Sequence, residues 1–266
     1  MATAIKGIDC AVPLTAEKAK ALAAAGMKFV CRYLVPASMA WKRLTRAEAE
    51  AITAAGMKIV SVFQRGTNDA AGGAPNGTRD GKAAYQEAKA IGQPAGTAIY
   101  FAVDFDAQPK DYNAIEAYLR AAAKELPDYN VGVYGSYAVV EEMARRGACA
   151  HFWQTYAWSK GRLSAATNIY QYKNGQTLAG HTVDFNESYG CEGWWDTNPQ
   201  KVEKPVNNSV DKEAAEKVIS VLGSLWMASA DKKVQDAAHY AANALRDAAG
   251  IPKNNSIAAQ YPNHFS

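Results

Sequence analysis

Residues 98–106, Ala98-Ile99-Tyr100-Phe101-Ala102-Val103-Asp104-Phe105-Asp106, run from an apolar core segment into two carboxylates. A short apolar run rich in aromatic and β-branched residues reads as a buried central strand. Alternation along a strand then puts Asp104 and Asp106 on one side of the sheet. Close carboxylates repel and raise each other's pKa, so such a pair at a strand end points to chemistry.

Upstream of this strand the chain repeats itself. Leu14-Thr15 through Ala25-Gly26-Met27-Lys28 is echoed by Leu44-Thr45 through Ala55-Gly56-Met57-Lys58. Each unit reads as a helix followed by a strand. Thr15 is a good N-cap, Thr45 with Glu48 spells a capping box, and Gly26 and Gly56 supply the left-handed residue that ends each helix. The alternation continues downstream. Strands are expected at 5–12, 28–34, 58–64, 97–106, 130–136, 151–158, 168–173 and 181–185. Helices are expected at 78–91, 109–126 and 137–146, with none between the sixth and seventh strands. This is the pattern of an α/β protein, a TIM-like (β/α)₈ barrel with a degenerate last quarter. An open doubly wound sheet is the weaker reading, because no G-x-G-x-x-G or P-loop follows the first strand.

A segment of proline, asparagine and charge follows Trp194, with Trp194-Trp195 expected to seal the barrel bottom or the linker junction. The expected organisation is a barrel over 1–195, a linker over 196–209 and a helical C-terminal module over 210–266. The module shows two amphipathic stretches, at about 211–229 and 231–249, and a poorly ordered tail from 254.

With 266 residues, 48% hydrophobic and 21% charged, the composition is that of a globular chain. A net charge of +3 gives no argument for nucleic acid. No stretch reads as a membrane span or a secretory signal, so the expectation is synthesis in the cytoplasm, with another route of release where the substrate lies outside the cell. Cys10, Cys31, Cys149 and Cys191 contain no C-x-x-C pair, and the four histidines show no ligand spacing, so neither a metal nor another cofactor is expected.

In a (β/α)₈ barrel the active site lies at the C-terminal strand ends. The candidates there are Asp9, Arg32, Tyr33, Gln64, Asp104, Asp106, Tyr134, Trp158, Gln171 and Asp184. Four aspartates ringing one cavity suit glycoside hydrolysis, which needs a protonated carboxyl at the leaving oxygen and negative charge near the oxocarbenium ion. Each aspartate alone has a plainer reading: Asp9 and Asp184 as acceptors for loop amides, Asp106 as a cap before Pro109. The set carries more weight than its members. Trp41, Trp158, Tyr134, Tyr156 and Tyr172 are candidates for stacking on sugar faces, a role set against ordinary half-buried packing.

Gly7-Ile8-Asp9, Tyr100 to Asp106, Tyr134-Gly135-Ser136, Tyr170-Gln171-Tyr172 and Val183-Asp184-Phe185-Asn186 together resemble the DUF1906, Rv2525c-like glycoside hydrolase-like family, related to the family 25 lysozymes. The resemblance covers about residues 4–195. It implies a TIM-like barrel with a carboxylate-lined groove for peptidoglycan, as in a muramidase or phage endolysin, and the C-terminal helices look like a wall-binding module. It implies Asp106 as general acid, with Asp104 second, and Asp9 and Asp184 as groups that stabilise positive charge or position the substrate acetamide. Arg32, Tyr33, Gln64, Tyr134, Trp158 and Gln171 are the expected substrate contacts. In family 25 lysozymes the position of Asp106 is a glutamate, one methylene longer. A non-catalytic glycan-binding protein on the same fold is the alternative.

Overall fold

The computed structural model describes residues 4–198 and 211–251. The chain divides into two compact units, Met1–Pro199 and Gln200–Ser266.

The first unit is a closed eight-stranded barrel in sequential order. Its strands are β1 (Ile5–Asp9), β2 (Phe29–Tyr33), β3 (Lys58–Phe63), β4 (Ala98–Ala102), β5 (Asn130–Gly135), β6 (His151–Thr155), β7 (Ile169–Leu178) and β8 (His181–Ser188). Helices α1 (Ala16–Ala24), α2 (Arg46–Ala54), α3 (Gly73–Ile91), α4 (Tyr112–Lys124) and α5 (Tyr137–Arg146) connect the first six strands. The expected barrel is therefore present.

Its last quarter departs from eightfold regularity. β7 and β8 form a hairpin, and β8 runs antiparallel to both β7 and β1. Ala179 (φ 50°) and Gly180 (φ 74°) make its turn. Positive φ at both central residues is the twist-matched solution for a tight hairpin. Asp184 therefore does not stand at the end of a parallel strand, as expected, but within a descending one. It still reaches the mouth, because the register sets it opposite Asp9.

Alternation sorts side chains into two cores. Phe29, Cys31, Val60, Val62, Ala98, Tyr100, Ala102, Trp153 and Ile169 fill the barrel interior. Ile8, Val30, Ile59, Phe63, Ile99 and Phe101 face the helices. Bulky interior rings need small neighbours. A β-carbon on Gly7 would lie 2.4 Å from the Phe29 ring, and one on Gly132 would lie 2.6 Å from the Tyr100 ring. The Trp194 ring packs on Phe29, and Tyr100 Oη donates to the Glu192 carbonyl, so residues 192–194 close the end opposite the mouth. Trp195 is buried and exchanges two backbone hydrogen bonds with Ile59. Both tryptophans thus belong to the barrel, and residues 199–210 of the expected linker lie outside the described residues.

Some local expectations are revised. α3 begins at Gly73, not near residue 78. Its glycines are not loop signals: a β-carbon at Gly77 would lie 2.2 Å from the Tyr118 carbonyl oxygen, so glycine lets α3 and α4 approach closely. Thr45 caps α2, accepting from Glu48 N at 3.2 Å. The Glu48 side chain does not complete the capping box, because buried Arg32 draws it away.

The second unit contains α6 (Lys212–Ala228) and α7 (Lys232–Ala249). Ala215, Ala238 and Ala242 are buried, while Val218, Val221, Leu225, Met227 and Tyr240 are exposed. The expected tail beyond 254 lies outside the described residues. No helix among the described residues is long and apolar enough to cross a membrane.

Candidate active site at the barrel mouth

A polar cavity of about 220 Å³ opens at the C-terminal ends of the parallel strands, lined among others by Asp9, Tyr33, Gln64, Asp104, Tyr134, Gln171 and Asp184. Strand parity puts them there. Asp9 follows the inward position Gly7, Tyr33 follows Cys31, Gln64 follows Val62, Asp104 follows Ala102, and Tyr134 follows Gly132.

Asp9 is 6% exposed, and its Oδ2 accepts from Gln171 Nε2 at 2.8 Å and Asn186 Nδ2 at 2.7 Å. Both amides are held by their far ends. Trp153 Nε1, which can only donate, bonds Asn186 Oδ1 at 2.8 Å. Tyr134 Oη and Thr155 Oγ1 each donate to Gln171 Oε1 at 2.8 Å. The same Gln171 Nε2 also reaches Asp184 Oδ2 at 3.4 Å, so one amide bridges two carboxyls. Asp184 Oδ1 accepts from Gly175 N at 2.7 Å, at the irregularity where the β7–β8 register shifts. Gln64 Nε2 donates to Asp104 Oδ2 at 2.9 Å.

Burial, reinforced by the charge of Asp184, raises the Asp9 pKa from 3.8 to about 7, against the lowering pull of Asn186, Gln171 and the Arg32 charge. Burial also raises the Asp184 pKa; the Gly175 amide opposes this and Asp104 adds to it. The cavity thus holds a carboxyl that keeps its proton near neutrality beside further carboxyls, the pairing that acid–base chemistry on an acetal requires. Among the described residues no group of three or more His, Cys, Asp or Glu is placed to hold a metal.

Three expected site residues do not line this cavity. Arg32 is fully buried and points the other way, since Cys31 and Tyr33 take the inward positions of β2. Its guanidinium pairs with Glu48 Oε1 at 2.6 Å and donates to the Cys10, Ala11 and Lys42 carbonyls. Asp106 is exposed. β4 ends at Ala102, so the two-residue alternation relating Asp104 to Asp106 no longer operates. The chain there turns toward the Gln108–Asp111 capping box that starts the next helix. Trp158 is 41% exposed with φ 56°, on a turn beyond β6, which ends at Thr155 rather than 158.

Asn186, Trp153 and Asn174 were not among the expected site residues. Asn186 was findable, since it lies two positions from Asp184 on a strand and so shares its face. Asn174 was not, because it depends on the register shift in β7.

The residues 20–197 match the model of the Rv2525c-like, glycoside hydrolase-like domain. The chain is 26% identical to the Mycobacterium tuberculosis Tat-secreted protein Rv2525c, whose structure in complex with L-tartrate aligns with TM-score 0.66 over 73% of this chain and 100% of that one. A B. stearothermophilus protein at 21% identity shares the fold, with TM-score 0.57 over 72% of this chain and 100% of that one. In Bacillus subtilis (strain 168), the uncharacterized protein FadG is 32% identical over 158 residues, 53% of this chain and 27% of FadG. The uncharacterized protein YbfG is 36% identical over 145 residues, 48% of this chain and 20% of YbfG. The chain thus spans well under half the length of these two relatives. On the family match, with the barrel and its acidic mouth beside it, the chain belongs to the Rv2525c-like, glycoside hydrolase-like family.

Proposed function

We propose that the barrel is a glycosidase of muramidase type acting on the amino-sugar glycan of bacterial peptidoglycan. The observation that carries this reading is the buried Asp9, protonated up to about pH 7, in one cavity with Asp104 and Asp184. In this scheme Asp9 supplies the proton that the leaving glycosidic oxygen needs. Asp104, held by Gln64, faces the developing positive charge, and Asp184 keeps the Asp9 proton in place by repulsion. Tyr33 and Tyr134 give the sugar an aromatic wall with hydroxyl groups.

The test is mass spectrometry of purified peptidoglycan after incubation with the protein. A glycosidase releases fragments with new reducing ends, and Asp9→Asn and Asp104→Asn each abolish their release. Unchanged release by both variants would exclude this site. The exposed position of Asp106 favours one other reading, a glycan-binding protein that holds the sugar without cutting it. That protein would retain glycan but release no fragments.

A further inference from the structure

Lys42 stands next to this cavity and has no part in the chemistry above. The residue is 5% exposed. Among the described residues its ammonium makes no hydrogen bond and no ion pair; its neighbours are aromatic. Nζ lies 4.7 Å from the centroid of the Tyr33 ring and 5.3 Å from that of Trp41. Two ring faces offset part of the cost of burying a cation but satisfy none of its three donors. Unpartnered side-chain atoms cut off from solvent are, among the described residues, His181 Nε2 and Ser188 Oγ. The tip of Lys42 is not one of them, so its donors remain reachable from outside.

The loop that carries Lys42 is fixed in place. Arg32 Nη2 donates to the Lys42 carbonyl at 3.2 Å, and Lys42 N donates to Met39 O at 3.1 Å. Leu44 N donates to Tyr33 O at 2.8 Å, tying the far end of the loop back to β2. A lysine that served only to neutralise the acidic mouth would contact a carboxylate. The two carboxylates whose charge it feels are otherwise engaged: Asp69 accepts from Arg65 N at 2.7 Å and Gly66 N at 3.0 Å, and Asp104 accepts from Gln64. Tyr33 lines the cavity, and Trp41, the other ring against the ammonium, is 62% exposed. A preorganised cation with free donors, framed by one ring inside the mouth and one outside, is built to meet an anion.

We propose that Lys42, Tyr33 and Trp41 form an anion subsite at the rim, which takes a carboxylate carried on the bound sugar while the Trp41 face covers the ring. The inference rests on the glycan reading above and narrows its substrate to glycan whose lactyl carboxylate is free of a stem peptide.

Calorimetry on the full chain tests it with two probes, a disaccharide of N-acetylglucosamine and N-acetylmuramic acid with a free lactyl carboxylate, and the same disaccharide as its lactyl amide. The wild type is expected to bind the acid roughly tenfold more tightly than the amide at low salt, with the gap closing as salt rises. Lys42→Met, of similar length and apolar, should weaken the acid alone and equalise the two. Equal binding of acid and amide by the wild type would overturn the subsite and leave the glycan reading standing. So would an undiminished preference in Lys42→Met. Failure of the wild type to bind either probe would overturn the glycan reading and the subsite with it. The wild-type comparison needs no variant to fold.

Discussion

Asp9 is a buried acid whose neutral form the fold favours, and that has a sign in stability as well as in catalysis. Its folded pKa of about 7 lies above the unfolded value of 3.8. Its contribution is therefore full below about pH 3.8, declines from there, and is lost above about pH 7. The span corresponds to something on the order of 4 kcal/mol. Denaturant melts from pH 4 to pH 8 should show wild-type stability falling with pH, and Asp9→Asn should flatten that decline; a parallel decline in the variant would contradict the assignment. Catalysis carries the same sign, with activity lost on the alkaline side as Asp9 gives up its proton. Gln171 tunes this limb, because its amide bonds to the ionised carboxyl and lowers the Asp9 pKa. Gln171→Met should lower the rate on the order of 10²-fold by loosening both carboxyls. It should also move the alkaline limb upward, a shift that a purely structural loss would not produce.

The rule that barrel sites lie at strand ends nominated, from sequence alone, seven residues that line the mouth: Asp9, Tyr33, Gln64, Asp104, Tyr134, Gln171 and Asp184. It misled wherever a strand stopped sooner than its apolar run. The run through Val103 and Phe105 continues the strand signal, but β4 ends at Ala102, which is why Asp106 leaves the cavity. Arg32 shows the opposite limit, for its burial behind β2 follows from the same parity that brings Tyr33 inward. The direction of β8 was not legible, since alternation is identical in either direction. The short Ala179-Gly180 turn was the available signal, because a tight two-residue turn joins antiparallel strands. Two predictions belong to these elements. Glu48→Gln leaves the Arg32 guanidinium buried without its counter-charge and should cost about 3–5 kcal/mol in equilibrium unfolding. Gly7→Ala forces a β-carbon into the Phe29 ring and should cost about 1–3 kcal/mol, whereas Gly161→Ala, with open space but φ 73°, strains only its own backbone.

For the whole molecule, the family match and the acidic mouth fall within one compact unit, Met1–Pro199. The helical unit keeps Val218, Val221, Leu225 and Tyr240 exposed, more apolar surface than two helices need for each other. We propose that it serves attachment to the wall. A chain ending at residue 199 should then melt as the barrel does in the full protein and cut soluble glycan at an unchanged rate, while sedimenting less with intact walls. Equal sedimentation of the two forms would remove that role. The central claim is that the barrel mouth cleaves a glycosidic bond through Asp9 and Asp104, and it is tested most directly by mass spectrometry of a peptidoglycan digest at pH 6. The account predicts fragments with new reducing ends from the wild type and none from Asp9→Asn or Asp104→Asn. Wall that stays intact with folded wild-type protein, or fragments that persist in both variants, would contradict it.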